Sequence, residues 1–491
     1  MRRGESVRVF TIGLLAGLVA GVAAQSPSLP GAQVQNRVER FGERDPQPNR
    51  ATLAIVGGML VDGHEGPPQH HAVVLMDGSR IVATGTRDSL TVPPGTPVVE
   101  AYGMTVMPGL IDAHMHLDIQ GDTNYTRWHD RFGLTKEKWE RTMAVTARQH
   151  VMSGVTSALD LSGSPEALIA TKRKIDRGEI PGPRMKLSMG QIVNWGSDLG
   201  GFSTAGRDSF SWNVKTVEEA RGAALKVIEY GADVIKVQNG LRPDQIQVIA
   251  EEARKRGLRL TGHVNGKAGL IASVTAGQNG VEHFFSTGFN GDLDPDVRKV
   301  LLDHRAAVTP TLIQSMSQLR VLENPDYFVN NPRMKALTPP DMWQVLSGSL
   351  EHPERLVYFG QGARYRTLRE WKSRFKQLWD SGIRVNVGTD AGTVLNLPTE
   401  AMWQEMDLMV EFGAPPMEVI GAATRRNAEW IGWEEQLGTV TAGKLADLIV
   451  VDGNPLKTMR DLRHVVVVIK DGKVLKGPTP SPTARPRADV R

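Results

Sequence analysis

Residues 106–116 read Val-Met-Pro-Gly-Leu-Ile-Asp-Ala-His-Met-His, a short apolar run closed by histidines at i and i+2. Alternate side chains of a β-strand share a face, so a strand here projects His114 and His116 together. Two neutral imidazoles carried by one rigid strand make half of a divalent metal site. For the motif alone, two histidines packed at a strand end is an equally good account. The downstream sequence breaks the tie. Strand-like runs there alternate with helical stretches, which predicts an α/β fold with a parallel (β/α)8 TIM-like barrel. The expected strands end at His116, Asp160, Met189, Val237, Val264, Phe285, Leu312 and Asp390. Barrels of this kind place their chemistry at the C-terminal ends of the strands.

The expected helices include 217–230, 245–255 and 402–412. In the last, Met402, Met406, Met409 and Val410 form a stripe that reads as core packing. Short β-rich runs broken by glycine fill 52–107 and return in 434–475, which predicts a small β-sandwich assembled from both chain ends around a barrel at 108–433. Residues 25–51 and 476–491 are polar and proline-rich, expected as a flexible linker and a disordered tail.

Residues 1–24 read as a secretory signal. Arg2, Arg3 and Arg8 precede an apolar run at 9–21, and Val22-Ala23-Ala24 supplies the small residues for cleavage. The expected location is periplasmic or secreted; the alternative is a membrane anchor left uncleaved, although the run is short for a span. Losing three arginines and Glu5 takes the formal charge from +4 to +2. That balance gives no argument for nucleic acid. No second run is long enough to span, so no membrane contact is expected after signal removal. The chain has no cysteine, which excludes disulfides, thiolate chemistry and a lipid-modified cysteine.

Four more metal-ligating side chains fall at expected strand ends: Lys236 after Asp233-Val-Ile, His263 after Thr-Gly, His283 after Val-Glu, and Asp390 after Gly-Thr. Singly each has a plain explanation: a hydrogen-bonded core histidine, a snorkelling lysine, an N-cap aspartate. Six together, each at a strand end, do not. A protonated Lys236 beside two cations would be repelled. A desolvated lysine instead becomes a nucleophilic amine, and reaction with carbon dioxide would make it a carbamate, an anionic two-oxygen ligand able to bridge two metals. His114, His116 and Asp390 would then hold one divalent ion, and His263 with His283 the other. Imidazole and oxygen ligands without thiolate suit zinc, with manganese or cobalt as alternatives. Ions about 3.5–4 Å apart share a hydroxide whose pKa falls towards neutrality.

These motifs resemble the amidohydrolase superfamily, in the branch with a carboxylated lysine near imidazolonepropionase-like amidohydrolases and Xaa-Pro dipeptidases. The resemblance runs over nearly the whole chain after residue 51. It is carried by Pro108-Gly-Leu-Ile-Asp-Ala-His-Met-His116, Asp233-Val-Ile-Lys236, Gly262-His263, Glu282-His283, Gly388-Thr-Asp390, Ala422-Ala-Thr-Arg-Arg-Asn427 and Gly438-Thr-Val-Thr-Ala-Gly-Lys-Leu-Ala-Asp447. It implies a bridging hydroxide that attacks an amide carbonyl, with Asp390 taking the proton and delivering it to the leaving amine. Two departures narrow it. Imidazolonepropionase and related deaminases carry a glutamate three residues after the strand-five histidine, where this chain has Gly266. The dipeptidase relatives commonly carry a tyrosine near the strand-four lysine, where this chain has Val237-Gln238-Asn239.

The connections 190–213 and 313–382 are long and are expected to wall the substrate. Gln191, Asn194, Trp195 and Thr311 are the candidate substrate contacts, against ordinary loop hydrogen bonding and packing. Arg364, Arg366 and Arg369 fit a solvated helix face better than an anion site. The expected protein is therefore an exported, binuclear metal-dependent amidohydrolase. Its substrate would be a small N-acyl amino acid, dipeptide or cyclic amide. Lactone or ester hydrolysis and mononuclear deamination are the alternatives, and a homo-oligomer is compatible with the sequence.

Overall fold

The computed structural model describes residues 50–133, 135–194, 211–238, 240–284, 292–355 and 365–482. The expected signal, nearly all of the linker, Trp195, Asn239, Phe285 and Arg364 lie outside them.

Leu110–Met115, the first barrel strand, pairs in parallel with Val155–Asp160, which pairs with Arg184–Leu187. This third strand breaks at Met189 and Gly190, whose φ values of 58° and 92° interrupt the extended backbone. Its continuation, Gln191–Val193, pairs with Val234–Val237. Parallel pairing then runs through Arg259–Gly262, Gly280–Glu282 and Ala307–Thr309. Residues 384–391 form the eighth stave without a regular ladder. On one side Val308 N donates to Arg384 O (2.8 Å) and Asn386 N to Val308 O (2.9 Å). On the other, Ala113 N donates to Val387 O (3.0 Å) and Asp390 N to His114 O (2.7 Å). These bonds bring the eighth stave back to the first strand and close the barrel.

Three expected strand ends are corrected, the sixth strand ending at Glu282 rather than Phe285 because His283 turns left-handed at φ 55°. The fifth strand ends at Gly262 rather than Val264; a Cβ at Gly262 would lie 2.0 Å from Val237 O, so only glycine fits that crossing. The seventh ends at Thr309, because Thr311 turns left-handed and Leu312 opens a helix. The connection at 313–382, expected as loop, is largely helical: Leu312–Glu323, Pro325–Val329, Pro332–Leu337, Pro340–Glu351 and Tyr365–Asp380. Glu400, fully buried, ties part of it down by accepting from Tyr327 Oη (2.6 Å), Arg333 (2.5 Å) and Trp403 Nε1 (2.8 Å). Met402, Met406 and Met409 of helix Ala401–Glu411 are buried in the core, as the stripe predicts.

Strands from both ends of the described chain build two five-stranded sheets. Thr105–Pro108 pairs antiparallel with Leu448–Val451, joining the two ends in one sheet. Period-2 apolar positions such as Ile55, Val74 and Met76 pack with Val106, Leu448 and Val450. The expectation of a disordered tail from 476 is also corrected: Ser481–Pro482 pairs with Pro97–Glu100. Among the described residues no helix is long and apolar enough to cross a membrane.

His150, in helix Lys136–Met152, is fully buried, and among the described residues neither ring nitrogen has a hydrogen-bond partner. Burial pushes its pKa down to about 3. The unfolded chain takes up this proton below about pH 6.5 while the folded chain does not, so stability falls as pH drops through that window. His150→Met is expected to remove that dependence. Comparing urea unfolding at pH 7 and pH 5, the wild type should lose roughly 2 kcal/mol more than the variant; equal losses would contradict the assignment.

Candidate functional site

The first strand directs Asp112, His114 and His116 to one face, and all three are buried. His114 Nδ1 lies 2.7 Å from Glu282 Oε2, while its Nε2 is 3.3 Å from Asp390 Oδ1. His116 Nε2 is 2.8 Å from the same Asp390 oxygen. The His283 ring stands 4.8 Å from that of His114, centroid to centroid. Its Nδ1 is 2.8 Å from Thr311 Oγ1 and 3.8 Å from Asp390 Oδ2. His114, His283 and Asp390 each offer a ligand atom within 4.8 Å of the others. His263 stands outside that tightest group, its ring edge-on to His283 at 4.5 Å. Lys236 is 1% exposed, and its Nζ has no hydrogen-bond partner among the described residues.

The charges of this cluster are set by one another. Burial raises the cost of ionising Asp390, yet His283, His114 and His116 hold it well below the usual carboxylate range. Burial likewise opposes ionisation of Glu282, but His114, Lys236 and Thr261 bring it down to about 2. Burial lowers Lys236 against the pull of Glu282 and Asp390. Burial also lowers His283 to about 3 and, with His283 and Lys236 as positive neighbours, takes His263 well below its ordinary value. His263 and His283 are thus kept neutral, the form in which nitrogen ligates metal. Metal ligands are oriented by further hydrogen bonds, and His114–Glu282 and His283–Thr311 are of that kind.

The other predicted contacts sit differently. Gln191 lies opposite Lys236 in the sheet register, and its Nε2 donates to Ser162 Oγ at 2.8 Å. Asn194 Nδ2 donates to Gln245 Oε1 at 3.2 Å, which ties it to helix Pro243–Lys255. Thr311 faces His283. Gly266, where deaminase relatives carry a carboxylate, has φ 62° and opens helix Gly266–Thr275.

Sequence reasoning passed over Glu282, Asp112 and Asp160. Glu282 follows strand alternation into the barrel. His283, its neighbour, would point outward on a regular strand, but its φ of 55° turns it in as well. Asp112 accepts from Thr389 N at 3.1 Å and Thr389 Oγ1 at 2.6 Å, and so joins the first and eighth staves. Asp160, raised to about 7 by burial, accepts from Leu117 N at 2.8 Å and Ser162 N at 2.9 Å. The i, i+2 spacing of Asp112 and His114 was a signal for Asp112, and the expected strand end at Asp160 was one for Asp160; nothing local marks Glu282.

A closed parallel barrel with this His-His-Asp cluster at its strand ends belongs to the amidohydrolase family, whose model matches residues 105–475. The chain is therefore a hydrolase of a family that binds metal ions. It is 25% identical to ochratoxinase of Aspergillus niger over 464 residues, covering 86% of each chain. N-acyl-D-aspartate deacylase of Alcaligenes xylosoxydans xylosoxydans is 33% identical over 128 residues, 25% of this chain and 24% of the relative. In fold it is similar to a Xaa-Pro dipeptidase crystallised with methionine in its active site, at TM-score 0.68 and 21% identity, covering 87% of this chain and all of the other.

Proposed function

We propose that this chain is an exported, binuclear metal-dependent amidohydrolase that cleaves the C–N bond of a small N-acyl amino acid, dipeptide or cyclic amide. The observation that carries this reading is the buried, unpartnered Lys236 Nζ among His114, His263, His283, Glu282 and Asp390. A permanently protonated lysine would need a partner in such a place. A carbamate at Nζ would turn that liability into a shared anionic ligand.

The residues offer donors enough for two ions. Ligand atoms about 2.1 Å from a tetrahedral zinc lie about 3.4 Å from one another. The Asp390 separations of 2.8 Å to His116 and 3.3 Å to His114 are of that order. His114, His116 and Asp390 would hold one ion, His263 and His283 the other, and Lys236 would lie between. When bound, zinc would polarise the amide carbonyl and acidify the attacking water. Asp390, kept ionised by its histidines, would serve as the base and carry the proton to the leaving amine. Glu282 holds the His114 ring, and Gln191 and Asn194 would border the substrate space.

One relative is named an ochratoxinase and another an N-acyl-D-aspartate deacylase; the second name supports an acylated amino acid as the substrate class. The basic start and apolar run of residues 1–24 support export to the periplasm or beyond, with an uncleaved anchor as the other outcome.

The test is a matched pair: zinc-loaded protein assayed on a panel of N-acyl amino acids and dipeptides and on the corresponding esters. An ester leaves without protonation, whereas an amide needs it. Amide turnover is the expected result. Cleavage of esters or lactones with every amide left intact would overturn the reading.

A further inference from the structure

Glu405 is fully buried in helix Ala401–Glu411, and its hydrogen bonds do not go to the ligand set. Its carboxylate accepts the backbone amides of Leu312 at 3.0 Å and Ile313 at 2.7 Å. These are the first two residues of helix Leu312–Glu323, and their amides are among those a helix leaves without internal partners. The N-cap side chain usually satisfies one of these groups. Here the N-cap is Thr311, which makes no such bond because its hydroxyl faces His283 Nδ1 at 2.8 Å. Thr311 is also held at φ 46°. A β-branched residue keeps that left-handed conformation only where its surroundings overdetermine it. Glu405 thus does the capping from another helix, 93 residues away in sequence, and releases Thr311 to face the site.

We propose that Glu405 is a positioning residue for the His283 side of the metal site: it pins the first turn of helix Leu312–Glu323, which fixes Thr311, which in turn orients the His283 ring. This rests on the metal-centre reading above. It moves Thr311 from the substrate contacts to the support of a ligand.

Zinc titrated calorimetrically into metal-stripped protein tests the link, with unfolding of the same metal-free samples measured alongside. Glu405→Gln replaces one acceptor oxygen by a donor, and Thr311→Val removes the hydroxyl while keeping the shape. Each is expected to weaken zinc binding about 10–100-fold, the usual cost of losing a group that orients a ligand. Thr311→Ser, which keeps the hydroxyl, should restore most of the affinity. The double variant should be no weaker than the weaker single one, because both changes break one link.

Glu405→Gln that lowers the unfolding temperature yet binds zinc within twofold of wild type overturns the proposal, as do losses that multiply in the double variant. If Glu405→Gln does not fold, Glu405→Asp, which keeps both acceptor oxygens with a shorter reach, is judged by the same criteria. Wild-type protein that takes up no zinc overturns both this proposal and the metal-centre reading, whereas variants indistinguishable from wild type overturn this proposal alone.

Discussion

Lys236→Ala is expected to retain about one zinc where the wild type holds two, and to lose amide hydrolysis by about 10³-fold or more. The magnitude follows from the several kcal/mol a metal ion contributes to transition-state charge, at about 1.4 kcal/mol per tenfold in rate. The cause lies in the position of the amine. It is 1% exposed, without a hydrogen-bond partner among the described residues, and lowered in pKa by burial against the pull of Glu282 and Asp390. In the metal-free protein such a lysine is a cost to the fold, so Lys236→Met, which keeps the volume, should leave the metal-free chain no less stable. A fold-supporting lysine would behave oppositely, with stability falling and metal content unchanged. Bicarbonate in the reconstitution buffer should speed recovery of wild-type activity and do nothing for either variant. Unchanged turnover in Lys236→Ala would contradict the carbamate assignment.

Asp390→Asn is the second large effect expected. The aspartate sits at φ 54°, held by its own N–H on His114 O at 2.7 Å. Asn396 Nδ2 donates to its carbonyl at 3.0 Å and Thr393 Oγ1 at 2.7 Å. Asparagine tolerates left-handed backbone well, so the substitution should leave that geometry in place. It removes the carboxylate proposed to take the proton, which His283, His114 and His116 keep ionised against burial. Amide hydrolysis should fall about 10²–10⁴-fold, the usual range for a general acid–base group. Cleavage of an activated ester should fall much less, since its leaving group needs no proton. A variant with full amide activity would contradict the proton-carrying role.

The local pattern carried much of this site and failed at definite places. His114 and His116 were legible because they lie on or just beyond a regular strand, where a period of two holds. Lys236 was legible because it follows an apolar run at register with Gln191. The limit is the backbone at His283, Thr311 and Asp390, all at positive φ. There alternation no longer says which way a side chain points, so Glu282 was passed over and the contact of Thr311 with His283 could not be foreseen. The eighth stave lacks a ladder and is held by distant partners. Asn427 Nδ2 donates to Ile111 O at 2.6 Å and to Val387 O at 2.7 Å across 316 and 40 residues. Asp112 reaches Thr389 across 277. Such bonds leave no trace in spacing. The sandwich was legible from its β-rich runs, but Ser481–Pro482 lies in a proline-rich stretch whose composition argued for disorder, and an edge position is where a sheet accepts proline.

Metal content per chain, measured by elemental mass spectrometry on protein purified without the first 24 residues, tests the central claim most directly. The binuclear account predicts about two divalent ions per wild-type chain and about one in Lys236→Ala. About one ion in both would contradict it and leave Lys236 no place among the ligands.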